Sequence, residues 1–175
     1  MNAAEQIDYL AIGHICYDLT STGRIMGGSA AYAASVAQTL GCRTAVLTSA
    51  AAEDQWQAAL PDATVRQVNS PATTCFENVY NGGDRQQTIH AVAGPLAAGD
   101  VPKAWQRAAI VHLAPIANEV DPALIDRFSN SLVGLSPQGW MRRWDENGHV
   151  CRGMGGCRAA SPACGSHLCQ RRRPA

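Results

Sequence analysis

Apolar residues fall in short blocks separated by polar turns, and their spacing predicts alternating strands and helices. Residues 8–16, Asp-Tyr-Leu-Ala-Ile-Gly-His-Ile-Cys, form a mostly apolar run that suits one buried strand, with Asp18 just past its end. Gly27-Gly28-Ser29 then opens a small-residue segment from Ala30 to Leu40, stopped by Gly41. With Ser29 as N-cap and Gly41 as the C′ residue, this segment reads as a helix, rich enough in alanine to lie close on a sheet. Arg43 to Ser49 contains Ala45-Val46-Leu47, a second buried strand, and Glu53 to Leu60 reads as a helix ended by Pro61. This order predicts a parallel sheet with helices on its faces.

The pattern changes between residues 73 and 92. Thr73 to Tyr80 and Arg85 to Val92 are strand-like runs joined by Asn81-Gly82-Gly83-Asp84, a hairpin signal. Phe76, Asn78 and Tyr80 share one face of the first strand; Thr88, His90 and Val92 share one face of the second. Mixed polar and apolar faces suit a sheet that is partly exposed or covers a ligand. The α/β pattern then resumes. Ala108 to Leu113 is a strand ending at Ala114-Pro115, and Asp121-Pro122 starts a helix running to about Phe128. Leu132 to Leu135 is a strand ending in Ser136-Pro137-Gln138-Gly139, and residues 140–150 contain the polar turn Asp145-Glu146-Asn147-Gly148.

Composition narrows the class. With 175 residues, 46% hydrophobic and 16% charged, the chain is one globular domain, or one plus a remnant. No apolar run approaches the roughly 18 residues of a membrane helix, and no Lys or Arg precedes Arg24, so neither a membrane span nor a secretory signal is expected. Seven cysteines are too few for a disulfide scaffold, and free thiols in a reducing cytoplasm are the expectation. Cys16 and Cys42 lack a neighbouring base and read as packing thiols. His14 and His112, inside buried strands, read as core histidines; Trp56 and Trp105 read as packing residues.

Charge then divides the chain in two. Up to Val150 there are nine basic and fourteen acidic residues; residues 151–175 hold five arginines and no acid. The cysteines divide as well, with Cys16, Cys42 and Cys75 before the break and Cys151, Cys157, Cys164 and Cys169 after it. So abrupt a change marks a boundary.

Ligands of open α/β sheets bind beyond the carboxyl ends of the strands. Asp18, Gly27-Gly28-Ser29, Ala114-Pro115 and Ser136-Pro137 all fall at such ends. Asp18 is able to accept hydrogen bonds from two hydroxyls of a polyol, the glycines let a ligand approach the backbone, and the following helix points N–H groups at it. A solvated acid beside an ordinary glycine turn would show the same spacing.

The combination Ala11-Ile12-Gly13-His14-Ile15…Asp18, Gly27-Gly28-Ser29-Ala30-Ala31-Tyr32-Ala33-Ala34, Leu40-Gly41 and Val46-Leu47-Thr48-Ser49 resembles the N-terminal part of the ribokinase-like (PfkB) carbohydrate kinases. The resemblance covers about residues 8–150. It implies a ribokinase-like parallel sheet flanked by helices, with the 73–92 hairpin as a lid over the sugar. It also implies transfer of the γ-phosphate of ATP, with Mg²⁺, to a hydroxyl of a sugar or nucleoside. Carried over by position, Asp18 binds sugar hydroxyls, Gly27 and Gly28 shape the pocket with Ser29, and the lid residues Asn78 and His90 cover the substrate. Tyr32 stands where many members have Asn, and Ala114 near where some have Glu, so the sugar is not named by these positions. The family's late Gly-Ala-Gly-Asp run, which forms an anion hole and supplies the base, is absent from the sequence. No catalytic residue is therefore expected in this chain, and the ATP-binding half is expected to be missing.

Residues 151–175 then read as an aberrant, disordered tail. For Arg152 to Pro162, codons exist whose reading one base later permits VEWEDAERLLP, an acidic string with apolar letters at helical spacing. A frameshift within the next kinase helix accounts for that. Cys151, Cys157, Cys164, His167 and Cys169 lack the paired C-x₂-C spacing of structural zinc sites, and Arg171-Arg172-Arg173 lacks the interleaved aromatics of a nucleic-acid arm. No metal, nucleic-acid or membrane partner is expected. A lid hairpin is also able to pair with its copy in a second subunit, which leaves room for a homodimer. Two readings remain: a truncated, inactive carbohydrate kinase, or a non-catalytic sugar- or nucleoside-binding module. Either leaves a sheet face and edge uncovered, so marginal stability is expected.

Overall fold

The first apolar run forms two strands, not one. In the computed structural model, which describes residues 6–82 and 84–152, β1 (Tyr9–Ile12) stops at Gly13, and β2 (Cys16–Thr20) starts in a different sheet. The backbone between them leaves the ladder and is satisfied by side chains. Ile15 N–H donates to Thr48 Oγ1 at 2.8 Å, and His14 N–H to Glu119 Oε1 at 2.9 Å. Apolar periodicity cannot register this change of sheet, because His14, Ile15 and Cys16 are all buried on either side of it. Asp18 therefore sits within β2 rather than past a strand end.

β3 (Gly23–Gly27), a strand the sequence pattern does not predict, turns back antiparallel on β2. α1 (Ser29–Thr39) follows. Its N-cap is Gly28 rather than Ser29, with φ +103 and no side-chain cap, and Gly41 supplies the left-handed C′ residue as expected. Ala30, Ala31, Ala34 and Ala37 are the buried face of α1, which packs on β1 and on β4 (Thr44–Ala50). Every residue of β4 is buried, as befits an inner parallel strand. The helix expected over 53–60 is one turn, α2 (Trp56–Ala59), and β5 (Thr64–Asn69) adds an edge strand not expected from the pattern.

β6 (Cys75–Asn81) and β7 (Asp84–Ala91) form the expected antiparallel hairpin. β8 (Ile110–Leu113) and β9 (Leu132–Leu135) fall where the apolar runs place them. Pro122–Arg127 is a 3-10 helix, not an α-helix; Asp121 caps it by accepting from Ala123 N–H at 2.9 Å. A one-turn α3 (Gln138–Met141) leads to the antiparallel pair β10 (Arg142–Trp144) and β11 (Val150–Arg152), around the polar turn at 145–148. The ladder thus runs two residues past the charge break at Val150. The tail from residue 153, with its frameshift, zinc and basic-arm readings, lies outside the described residues.

Two sheets result. The central one is parallel, in the order β5-β4-β1-β8-β9. One of its faces packs Leu10, Ile12, Leu47, Val111 and Leu113 against Leu96, Trp105, Leu124 and Phe128; the other packs Ala11 and Val46 under α1 with Trp56 and Leu60. The second sheet, β3-β2-β6-β7, stands over the first. Phe76 and Ile89 join it to Ile116 and Ala117 in a third, small core. Trp56 and Trp105 are both buried packing residues. No helix among the described residues is long and apolar enough to cross a membrane.

Candidate functional site

All four of the segments singled out in the sequence reach one cleft of about 340 Å³, two by their own residues and two by the residue that follows them, at the lower end of the range for small-molecule sites. Its floor is Gly28 and Ser29 at the start of α1, Ile116 just after Ala114-Pro115, and Gln138 just after Ser136-Pro137. Its roof is the second sheet, through Asp18, Phe76, Asn78, Tyr80, Arg85 and Gln87. Tyr32, one turn into α1 and 60% exposed, stands at the mouth.

Backbone geometry forces the two glycines. A Cβ at Gly27 would collide with the Asp18 carboxylate, and one at Gly28 with the His14 carbonyl, where φ +103 already disfavours any L side chain. Asp18 and the N-terminus of α1 therefore approach each other because nothing stands between them.

Around Asp18 the polar groups form a chain. Asn78 Nδ2 donates to Asp18 Oδ1 at 3.2 Å, and Asn78 Oδ1 accepts from Gln87 Nε2 and from Arg85 Nε, both at 2.9 Å. On the floor, Gln138 Nε2 donates to Ser29 Oγ. Arg142, nearly buried, lies over the Phe76 ring with its guanidinium carbon 5.0 Å from the centroid. Its Nη1 donates to the Ile116 carbonyl at 2.6 Å and its Nη2 to Gln138 Oε1 at 3.4 Å. The Cys16 thiol is held protonated by burial first and by the neighbouring Asp18 charge second, consistent with a packing thiol.

Of the residues the sequence points to, Asp18, Gly28, Ser29, Tyr32 and Asn78 line the cleft, and Gly27 touches Asp18. His90 is not brought there. The hairpin register sets Asn78 opposite Gln87 and Tyr80 opposite Arg85, so the β7 face that meets Asn78 is Arg85-Gln87-Ile89, not Thr88-His90-Val92. His90 lies on the other face, with Nε2 and Glu77 Oε2 at 3.0 Å. Arg85, Gln87, Gln138 and Arg142 are the polar cleft residues that sequence reading missed. The first two follow from the register once the turn is placed; Gln138 opens α3 directly after a segment already marked as a strand end; Arg142 belongs to no motif.

His14 is a core histidine, as expected, whereas His112 is only partly buried. His14 Nε2 meets the Gly94 carbonyl at 2.8 Å, and its Nδ1 meets Thr74 Oγ1 at 2.7 Å. Tyr9 Oη and Ser136 Oγ bracket His112 at 2.7 and 2.8 Å. A separate depression of about 440 Å³, lined by Lys103, Gln106, Arg107, Arg127, Ser129 and Asn130, lies at the amino ends of β8 and β9, away from the ligand end of such sheets.

No family model matches the sequence, and no curated protein does. Solved structures do. A pyrophosphate-dependent kinase of the ribokinase family, complexed with a pyrophosphate analog and myo-inositol, matches with TM-score 0.67 and 24% identity, over 82% of this chain and 54% of its own. A sugar kinase from Pyrococcus horikoshii in complex with ATP matches at 0.58 and 16%, over 73% and 52%. Arabidopsis thaliana ribokinase complexed with ribose and ATP matches at 0.54 and 16%, over 74% and 53%. The chain spans about half the length of these structures. A parallel α/β sheet, a second sheet standing over its carboxyl ends and neighbours of one kind together establish that this chain carries a partial ribokinase-like fold.

Proposed function

We propose that the chain is the acceptor-binding part of a ribokinase-like phosphotransferase that passes the γ-phosphate of ATP to a hydroxyl of a sugar or nucleoside. The observation that carries this reading is Asp18, held by Asn78 across from the N-terminus of α1 in a cleft of monosaccharide scale. Asp18 accepts from two neighbouring hydroxyls, Asn78 orients it, and Ser29 and the first N–H groups of α1 meet the acceptor from below. Gly27 and Gly28 keep the approach open, and Tyr32 flanks the mouth. His90 has no part in this arrangement. The myo-inositol and ribose in the complexes of the neighbours support the sugar class.

ATP and Mg²⁺ enter by the same likeness, with pyrophosphate as the donor to compare against ATP. The chain spans about half the length of these neighbours and its sequence holds no Gly-Ala-Gly-Asp run, so the proposal gives residues 1–150 the acceptor site and its lid, and assigns the base, the anion hole and the donor site to the part of the neighbours' fold that this chain does not span. The chain alone is then inactive, in the cytoplasm, with residues 151–175 an out-of-frame ending. Pairing through the lid would use β3. The β7 edge is already met by the β10–β11 turn, where Ile89 N–H donates to the Gly148 carbonyl at 2.8 Å.

A second reading, a non-catalytic sugar- or nucleoside-binding module, needs only the cleft side chains between Cys16 and Arg142. Calorimetric titration of the full 175-residue chain with ribose and myo-inositol tests the acceptor site that both readings share; absence of binding to either would count against both. Asp18→Ala should weaken sugar binding at least about tenfold, the effect of one lost charged hydrogen bond; unchanged binding would remove Asp18 from the site. Reading the coding DNA from codon 140 onward tests the ending: a second frame running on to Gly-Ala-Gly-Asp supports the kinase.

A further inference from the structure

Taking the cleft as the acceptor site, we propose that Arg85 makes it selective for an acceptor that carries an anionic group, a carboxylate or a phosphate, beside its hydroxyls. Among the described residues three charged side chains line the cleft: Asp18, Arg85 and Arg142. Arg142 is committed to the fold, nearly buried on the Phe76 ring and donating to the Ile116 carbonyl and Gln138.

Arg85 differs. It is exposed, makes no ion pair among the described residues, and is bonded there through Nε to Asn78. That bond fixes the guanidinium and leaves its two Nη groups, the edge that grips a carboxylate or phosphate through two parallel hydrogen bonds. The carboxylate that might have neutralised it, Asp18, is kept one residue away by Asn78, which accepts from Arg85 and donates to Asp18. Cation and anion are thus set side by side without pairing, which suits a ligand with hydroxyls at one end and negative charge at the other.

Gln87 supports the same arrangement independently. It is 8% exposed, its Nε2 holds Asn78 Oδ1, and its Oε1 is buried with no hydrogen-bond partner among the described residues. A buried acceptor without a partner costs free energy, and a substrate hydroxyl reaching Gln87 would satisfy it. A neutral polyol would use Asp18 and Gln87 but leave Arg85 without a counter-charge.

The other source of such an anion is the donor phosphate, so the test separates them. The full 175-residue chain is titrated in matched pairs, ribose against ribose 5-phosphate and glucitol against gluconate, and with pyrophosphate alone. The expected result is that at least one anionic member binds about 10- to 100-fold more tightly than its neutral partner, the range for a hydrogen-bonded charge, and that the preference shrinks with added salt. Arg85→Gln should bring the ratio toward one, and Arg85→Lys should leave an intermediate preference, since lysine keeps the charge but not the fork. Equal affinity within both pairs overturns the proposal and leaves the acceptor site standing. Arg85→Gln weakening pyrophosphate while sparing the ratio also overturns it, and moves Arg85 to the donor. Binding of none of the five ligands by the folded chain overturns the acceptor-site reading itself, and the selectivity with it.

Discussion

Glu119 shows how much one side chain can organise. It is 4% exposed, and its carboxylate accepts from the backbone N–H groups of His14 at 2.9 Å, Ile116 at 3.0 Å and Ala117 at 2.7 Å. It ties the segment after β1 to the segment after β8, directly under the cleft, with Asn118 beside it in the left-handed region at φ 63. Glu119→Gln swaps an oxygen for an amide that cannot accept, so at least one N–H loses its partner. The expected cost is about 2–3 kcal/mol, read from urea denaturation; a change below about 0.5 kcal/mol would contradict this role. His14 sets a pH dependence at the same spot. The Gly94 carbonyl can only accept, so His14 Nε2–H donates to it; in the neutral ring, which burial favours, Nδ1 then accepts from Thr74 Oγ1–H, whose oxygen also accepts from Ala93 N–H at 2.9 Å. Burial lowers the His14 pKa from 6.5 more than the nearby Glu119 raises it. The unfolded chain therefore binds the proton more readily. Stability from this group is complete above pH 6.5 and is lost as pH falls below it. The melting temperature should drop between pH 7 and 5.5, and His14→Gln should flatten that slope. Asp8, held near about 2 by the Arg43 guanidinium, acts only at lower pH, as stability falls from about pH 4 downward; this exposed pair is screened by salt.

At the scale of elements, the α1 entry and the lid hairpin decide the site. Gly28→Ala asks an L residue to hold φ +103 against the His14 carbonyl. The cost should be about 1–3 kcal/mol in stability, accompanied by weakened sugar binding, because relief moves the start of α1. Circular dichroism with ligand titration checks both; an unaltered protein would mean that the turn relaxes freely. The sequence showed this turn, the hairpin at 73–92, and the strands around 44–50, 110–113 and 132–135, since each has a local signal of glycines, Asn-Gly or a continuous apolar run. It did not show β3, whose Gly-Arg-Ile-Met-Gly has three exposed residues and no alternation, nor β5, a mixed edge strand. Those strands exist because neighbours hydrogen-bond them. The short helices at 56–59 and 122–127 fall below their expected lengths because packing, not propensity, sustains helices so short.

Across the whole molecule, the central sheet ends abruptly. β9 pairs with β8 alone among the described strands, and its Leu132 and Leu135 are 70% and 50% exposed. Parallel sheets are ordinarily covered on both faces, and an apolar open edge is a template for another strand. The 175-residue chain by itself should therefore associate as its concentration rises. Leu132→Glu combined with Leu135→Lys should suppress this, as read by sedimentation velocity. A monomer at all concentrations would mean that the edge is covered. The apolar pattern determined that the chain is a parallel α/β sheet with an inserted hairpin, and glycine spacing placed the turn into α1, because both are short-range consequences of side-chain shape and burial. Which residues face one another was decided only in three dimensions. The hairpin register turned His90 away and Arg85 and Gln87 inward, and the break at Gly13 carried Asp18 into the second sheet. The first follows from where the turn falls in a local hairpin, which sets the face of every residue after it; the second depends on β2 pairing with β6, about sixty residues away, which no local pattern encodes.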